Sequence, residues 1–365
     1  MWVNQAFRFE LSPNAAQRRA LAQHIGAARF AYNWGLEMAL KARAEGRRLP
    51  SAPELHKAWN AWKRENAPWW TEVSKCAPQE AFRDLEKALK NWKAKRARFP
   101  TGTIKVFSRQ VQLPRIGLVK TKERADKLVG LIEARKARIL SATVSREVDR
   151  WYVSLTCEVE RPDPRPKEVR SEDDLVGVDL GLSSFATLSD GTRIEAPKPL
   201  AKRLRLLKRR SKQLSRKEKG SNNSKKAALR LARLHRKIKN LRRDFLHKLT
   251  TWLARTKPVI VVEDLSVRGL SRSPLSRSVA DVGWGTFLRM LEYKAKWYEA
   301  TLIVAPRSFP STRLCSRCGH LHGKMPLSQR VFRCTACGLE RDRDLNAAIN
   351  LKKYGLAHLT GSTAR

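Results

Sequence analysis

Apolar positions along this chain repeat first at two, then at three to four, then at two again. Phe7-Arg-Phe9-Glu-Leu11 alternates as a short strand does. Ser12-Pro13 offers an N-cap and a first-turn proline. Leu21, Ile25, Ala28, Tyr32, Leu36 and Ala39 then recur at helical spacing, which predicts an amphipathic helix ending near Gly46. Leu55/Trp59/Trp62 and Phe82/Leu85/Leu89/Trp92 predict two more helices. Together these make a small bundle whose tryptophans suit core packing before base stacking. Between Phe99 and Arg161 the period returns to two. Trp151, Val153, Leu155, Cys157 and Val159 alternate strictly, so one face is buried and Cys157 is an inert core thiol. With Val111-Gln-Leu113 and Ala142-Thr-Val144 they predict a small antiparallel barrel or sheet. Residues 5–11 would be its first strand, with the helical bundle inserted after it.

Arg161-Pro-Asp-Pro-Arg-Pro-Lys is a stiff polar linker and the main predicted boundary. Beyond it, Leu175-Val-Gly-Val-Asp179-Leu reads as a buried strand ending in an acid. Phe185-Ala-Thr-Leu188 and the Asp190-Gly191 turn give a hairpin. Residues 196–256 predict two long basic helices separated by Gly220-Ser-Asn-Asn-Ser224. Pro258-Val-Ile-Val-Val-Glu263 is a second buried strand ending in an acid. Ser266–Ser278, rich in Ser and Arg, reads as a mobile loop, Trp284–Ala300 as a helix, and Leu302-Ile-Val-Ala305 as a further strand.

Charge narrows the function. Lys and Arg number 76 against 34 Asp and Glu, a formal net charge of +42. The excess runs through every segment, so nucleic acid suits it better than an acidic membrane. From Lys202 to Arg243, Glu218 is the only acid. The first residues lack an export signal, and no apolar run approaches the roughly 18 residues of a membrane span. The expectation is a cytoplasmic protein with no membrane partner.

Of six cysteines, four form the Cys-x-x-Cys knuckles Cys315/Cys318 and Cys334/Cys337, fifteen residues apart. Paired thiolates at this spacing suit a tetrahedral zinc, and four of them leave no open position, so the ion would be structural. His320 and His322 are alternative ligands that the complete cysteine set makes unnecessary. Asp179 and Glu263 each end a Val-rich strand, and Asp344 stands where a helix begins. Converging carboxylates repel unless divalent cations neutralise them, and a Mg²⁺ pair held this way supports phosphodiester cleavage. An acid after a strand also serves as a turn former or N-cap, so the pattern alone leaves both roles open.

Val-Gly-Val-Asp179-Leu-Gly, Val-Val-Glu263-Asp-Leu, the two knuckles and Asp342-Arg-Asp344-Leu-Asn-Ala-Ala-Ile-Asn together resemble the TnpB family, transposon-encoded relatives of type V CRISPR effectors. Tyr32-Asn33, Trp69, Gln79 and Phe99-Pro100 extend the resemblance over nearly the whole chain. It implies a fold with α/β, α and β parts: an RNase-H-like RuvC domain with an inserted zinc ribbon, and an N-terminal wedge β-barrel with an inserted helical bundle. The implied boundaries are 1–11 and 101–162 for the barrel and 12–100 for the helical recognition domain. A linker at 163–172 follows, then the nuclease domain at 173–310 and 338–365, with the ribbon at 311–337. It also implies a guide RNA from the transposon end and double-stranded DNA cut beside a short adjacent motif. The site would hold two Mg²⁺ on Asp179, Glu263 and Asp344, and structural Zn²⁺ on Cys315, Cys318, Cys334 and Cys337. Asp344 rather than Asp342 matches, because the family's acid stands two residues before Asn-Ala-Ala. Lys75 and Gln79 resemble a pair touching the adjacent DNA motif. The segment after Phe99-Pro100 is shorter than the family's usual Lys-rich run. Two rivals stand beside the RNA-guided endonuclease: a nuclease-dead RNA-guided repressor, and a transposase or resolvase that needs no guide.

Overall fold

The computed structural model describes residues 2–74, 76–91, 97–100, 104–161, 167–270, 272, 275–326 and 328–361. The chain divides into two units, Met1–Pro162 and Asp163–Arg365. The first contains β1 (Trp2–Leu11), α1 (Ala15–Ala44), α2 (Ala52–Asn66), α3 (Cys76–Asn91), β2 (Ala97–Pro100), β3 (Lys105–Phe107), β4 (Gln110–Leu113), β5 (Gly117–Lys120), α4 (Asp126–Glu133), β6 (Ala137–Glu147) and β7 (Arg150–Glu160). One antiparallel sheet has the order β1-β7-β6-β2, and a second the order β3-β4-β5. Strand β2 falls within the segment that the family resemblance assigns to the helical domain, yet it pairs with β6.

Alternation along β7 buries Trp151, Val153, Leu155, Cys157 and Val159 against one core shared with Phe9, Val111 and Val119. The pattern groups Val111–Leu113 with Ala142–Val144, but they belong to different sheets. The sheets meet where Ser12 N–H donates to Lys120 O (2.7 Å) and Lys122 N–H donates to Glu10 O (2.8 Å). Helix α1 starts beyond Ser12. Its cap is Asn14, whose Oδ1 accepts from Gln17 N–H at 2.8 Å while Gln17 Oε1 accepts from Asn14 N–H at 3.1 Å, a capping box. In the bundle, Trp59 and Phe82 are fully buried, whereas Phe30 and Trp69 keep an exposed edge. Trp92 lies outside the described residues.

The second unit contains β8 (Leu175–Leu180), β9 (Ala186–Leu188), β10 (Arg193–Ile194), α5 (Pro199–Ser215), α6 (Asn222–Thr256), β11 (Val259–Glu263), α7 (Val267–Leu270), α8 (Ser276–Val282), α9 (Trp284–Trp297), β12 (Thr301–Ala305), β13 (Val331–Arg333), β14 (Glu340–Asp342) and α10 (Arg343–Leu359). Five strands form a mixed sheet of order β10-β9-β8-β11-β12. Strands β8, β11 and β12 are parallel, and β9 and β10 return antiparallel.

The unbroken apolar runs of β8 and β11 follow from burial on both faces. Val176, Val178, Ile260 and Val262 pack toward α6 and α9, among Leu249, Leu253, Phe287 and Leu291. Leu175, Val259 and Val261 pack on the opposite face with Leu351 of α10. Lys294 of α9 is buried and donates to His247 O (2.7 Å), Thr250 Oγ1 (2.9 Å) and Thr251 Oγ1 (2.7 Å) of α6. The stretch expected to be a mobile loop instead holds α7 and α8. Val279 and Val282 sink into the core, and the Asp281 carboxylate accepts from the N–H groups of Leu200 and Ala201 at 3.0–3.1 Å. Arg242 also donates to Asp281 at 3.2 Å, so α5, α6 and α8 are joined at one carboxylate. The chain entering this unit is docked as well, Lys167 Nζ donating to the carbonyls of Ala254 (3.1 Å) and Arg255 (2.7 Å) at the end of α6.

Helix α10 lies on the sheet with almost no clearance. A Cβ on Gly177 would stand 2.0 Å from Ala348 O, and one on Gly355 would stand 2.3 Å from Val261 Cγ2. The first gap admits a methyl group only if the helix moves, the second only if Val261 turns or the helix moves. Gly177→Ala is therefore expected to cost about 1–3 kcal/mol, as overpacking of a tight core does, read as a lower midpoint in thermal unfolding.

Candidate active site and four-thiol centre

Strand register brings the first two acids together. Val178 pairs with Val262 in parallel register, so Asp179 and Glu263 stand one rung further on, side by side at the strand ends. Side chains alternate along a strand, so Asp179 shares the face of Gly177 and Glu263 the face of Val261. Both of those residues abut α10. Asp344 lies in the first turn of α10, one turn before Ala348, which meets Gly177. The three acids therefore approach one corner of the sheet from two strand ends and one helix start.

Asp179 is buried, Glu263 and Asp344 are half-buried, and the corner they share is negative. Asp179 is 6% exposed. Burial first, then the carboxylates of Glu263 and Asp344, hold its carboxyl well above the usual range, while Arg343 opposes them. Burial pushes Glu263 up to about 7. Among the described residues, no group donates a hydrogen bond to the carboxylates of Asp179, Glu263 or Asp344. Oxygen donors of this kind fit a hard divalent cation. Asp342 is committed elsewhere: its Oδ1 caps α10 at Leu345 N–H (3.0 Å), and its Oδ2 pairs with Arg193 at 2.6 Å.

The four cysteine sulfurs lie within 4.8 Å of one another, and among the described residues they are the one group set closely enough to hold an ion as they stand. Cys315 and Cys337 Sγ are 3.7 Å apart, Cys318 and Cys334 Sγ 3.6 Å apart. A tetrahedron of Zn–S bonds of about 2.3 Å has edges of about 3.8 Å, so the thiols fit that ion. Burial raises the Cys315 thiol, but the N–H groups of Cys318 and Arg317 outweigh it and bring the group down to about 6. His322 does not replace a cysteine. Its Nε2 lies 3.4 Å from Cys334 Sγ, in hydrogen-bonding range of a ligand atom.

The first knuckle is gripped by α10. Asn346 Oδ1 accepts from Ser316 N–H at 3.0 Å, and its Nδ2 donates to Leu314 O at 2.7 Å. Asn350 Nδ2 donates to Ser311 O (2.8 Å) and Leu314 O (2.6 Å). The sequence motif contains these asparagines without giving them a partner. Their spacing of four residues, in a helix otherwise apolar there, is the available signal.

A separate cationic surface lies on the α5–α6 hairpin. Arg210, Gln213, Lys217, Asn223, Lys226 and Arg230 line a cleft of about 320 Å³ that contains no acid. Arg210 Nη1 donates to Arg230 O at 3.0 Å, which fixes one guanidinium at its wall. In the first unit Gln79 is half-buried in the first turn of α3, while Lys75 lies outside the described residues. Among the described residues, no helix is long and apolar enough to cross a membrane.

Residues 154–273 match a family described as "Probable transposase", 284–351 the "Cas12f1-like, TNB domain" and 1–48 a "Helix-turn-helix domain". Within 1–48 the structure has one strand and one uninterrupted helix. The chain is 37% identical to a Streptomyces pristinaespiralis protein named "Putative RNA-guided DNA endonuclease", over 97% of this chain and 90% of that one. It is 33% identical to InsQ of Escherichia coli (strain K12), which carries the same description, over 97% and 93%. A TnpB-like protein of Acanthamoeba polyphaga mimivirus matches at 28% over 53% of this chain and 40% of the other. A structure described as a Cas12f1–sgRNA–target DNA complex aligns with TM-score 0.38 and 14% identity, over 96% of this chain and 99% of that one. The chain belongs to the TnpB family.

The Glu263 carboxyl keeps its proton to about pH 7 in the folded chain, against an ordinary 4.5. The folded state thus binds this proton more tightly than the unfolded one. The associated stability is complete below pH 4.5 and lost as pH rises through 7. The gap corresponds to about 3 kcal/mol. Glu263→Gln is expected to unfold at a higher temperature than the parent at pH 8 and at a similar one near pH 4.5, in chelator-treated protein. An unchanged difference across that range would mean that the carboxyl is solvated.

Proposed function

We propose that this protein is an RNA-guided, Mg²⁺-dependent DNA endonuclease. The carrying observation is the placement of Asp179, Glu263 and Asp344 on the α10 side of two adjacent parallel strands, with no hydrogen-bond donor to their carboxylates among the described residues. The mixed sheet with α10 on one face and α6 and α9 on the other supports reading this part as an RNase-H-like RuvC domain. The two sheets of the first unit and their shared core support the wedge reading, and α1–α3 the recognition bundle. The guide and target follow from relatives matched along nearly the whole chain.

Asp179, Glu263 and Asp344 would hold a pair of Mg²⁺ ions, which when bound supply water activation and stabilisation of the leaving oxygen in phosphodiester hydrolysis. The protein's part is to hold the carboxylates together despite their repulsion. Asp342, capping α10 and paired with Arg193, keeps the helix start rigid and leaves Asp344 uncommitted. Cys315, Cys318, Cys334 and Cys337 would carry structural Zn²⁺. The hairpin cleft offers four cations to RNA phosphates, and base pairing of the guide reads the target. Lys75 and Gln79 are assigned to the target-adjacent motif on the family resemblance.

With matched guide RNA and Mg²⁺, Asp179→Ala is expected to abolish cleavage and leave RNA and target binding within about twofold, since it removes an interaction made at the reacting centre. Cleavage by that variant at the parental rate overturns the assignment. Parental protein that binds target without cutting it would be a repressor, and cutting without guide would mark a transposase or resolvase. The pair Lys226→Glu and Arg230→Glu should weaken RNA binding and lower the slope of log affinity against log salt by about 1–2.

A further inference from the structure

Helix α10 has two working faces. Successive residues turn by 100°, so Asp344, Ala348 and Gly355 share one stripe, and Asn346, Asn350 and Lys353 share another about 200° away. The first stripe lies on the sheet, where Ala348 meets Gly177 and Gly355 meets Val261. The second lies on the first knuckle. Asn346 and Asn350 are 0% and 1% exposed, and with Lys353 they bind both polar edges of the peptide that carries Cys315. Besides the contacts of Asn346 and Asn350, Lys353 Nζ donates to Ser316 O at 2.7 Å. Ser316 sits between Cys315 and Cys318, two of the four thiols set to hold an ion. The sheet thus stops the helix on one side, and the four-thiol knuckle holds it from the other.

We infer that Asn346 and Asn350 are positioning residues that transmit the rigidity of the four-thiol centre to the Asp344 carboxylate. This rests on the reading of the acid trio as a divalent-metal site. Asn346 has the larger share, because it lies two residues from Asp344, while Asn350 and Lys353 hold later turns. A side-chain amide is well matched to this role. In one rotamer its oxygen accepts from Ser316 N–H and its nitrogen donates to Leu314 O, which fixes both the rotation and the height of the helix. The four-thiol centre would then act on catalysis by holding a helix still. Displacement of a catalytic group by about 1 Å can cost about 100-fold in rate.

The test uses the full chain with its guide RNA and compares the parent, Asn346→Ala and Lys353→Met. Zinc content, target binding, amide hydrogen exchange over 345–350, and cleavage against Mg²⁺ concentration are measured for each. Asn346→Ala is expected to keep one zinc per chain and parental target binding, and to exchange faster over 345–350. It should need several-fold more Mg²⁺ and cleave about 10–100-fold more slowly. Lys353→Met, two turns further from Asp344, should lose much less. Parental Mg²⁺ dependence in Asn346→Ala with zinc retained overturns the inference, as does loss of zinc, which would make Asn346 a residue of ribbon folding only. If Asn346→Ala does not fold, Asn346→Asp keeps the acceptor for Ser316 N–H and loses the donor to Leu314 O; it should need more Mg²⁺ than the parent, and a parental Mg²⁺ dependence overturns the inference. Failure of the underlying reading is distinguishable: the parent would then show no Mg²⁺-dependent cleavage, while the exchange difference would still report the clamp.

Discussion

The contact between Gly177 and the backbone of Ala348 fixes the rest of the second unit. With no side chain between them, the carbonyl oxygen of Ala348 lies 2.0 Å from where a Cβ would be. Gly355 repeats the arrangement against Val261 about two turns further along α10. The helix therefore cannot slide or roll on the sheet without a clash or a void. Its first turn arrives beside the ends of β8 and β11, where Asp179 and Glu263 emerge. Three carboxylates are held near one another by backbone packing, and burial first, with the charges of Glu263 and Asp344 adding to it, holds the Asp179 carboxyl above its usual range.

The packing that gathers the acids leaves few polar groups to neutralise them. Arg343 acts on Asp179, but Arg193 is committed to Asp342. Helix α10 is held in turn by the knuckle peptide, whose own geometry is set by four sulfurs at tetrahedral spacing. Fold, four-thiol knuckles and candidate site are one mechanical chain. The cationic hairpin differs in kind. It is rooted by Asp281 at the base of α5 and carries its charge along two exposed helices. That separation suits a surface that binds a polyanion through many weak contacts, away from the place where geometry must be tight.

Much of this was legible in the sequence. The strict alternation of Trp151 to Val159 marked a half-buried strand, and the unbroken Val-rich runs before Asp179 and Glu263 marked strands covered on both sides. The knuckle spacing located the four-thiol centre. Long-range pairing was less legible. Val111 and Ala142 share a core while belonging to different sheets, because alternation reports which face is buried and not which strand lies alongside. The Ser/Arg-rich stretch hid α8, since a helix of seven residues shows its period only through Val279 and Val282. The cap of α1 fell at Asn14, in a capping box with Gln17, while Ser12 N–H joins a distant strand. The motif contains Asn346 and Asn350, but their partner, the first knuckle, is brought beside them only by tertiary packing.

The most direct measurement is the location of divalent metal in crystals of the protein with its guide RNA and target DNA, grown with Mn²⁺ and read from the anomalous signal at the manganese edge. Two peaks about 3.5–4 Å apart are expected, each ligated by oxygens of Asp179, Glu263 or Asp344. Ordered DNA with no manganese among these three side chains, or manganese bound elsewhere along the scissile strand, would contradict the assignment.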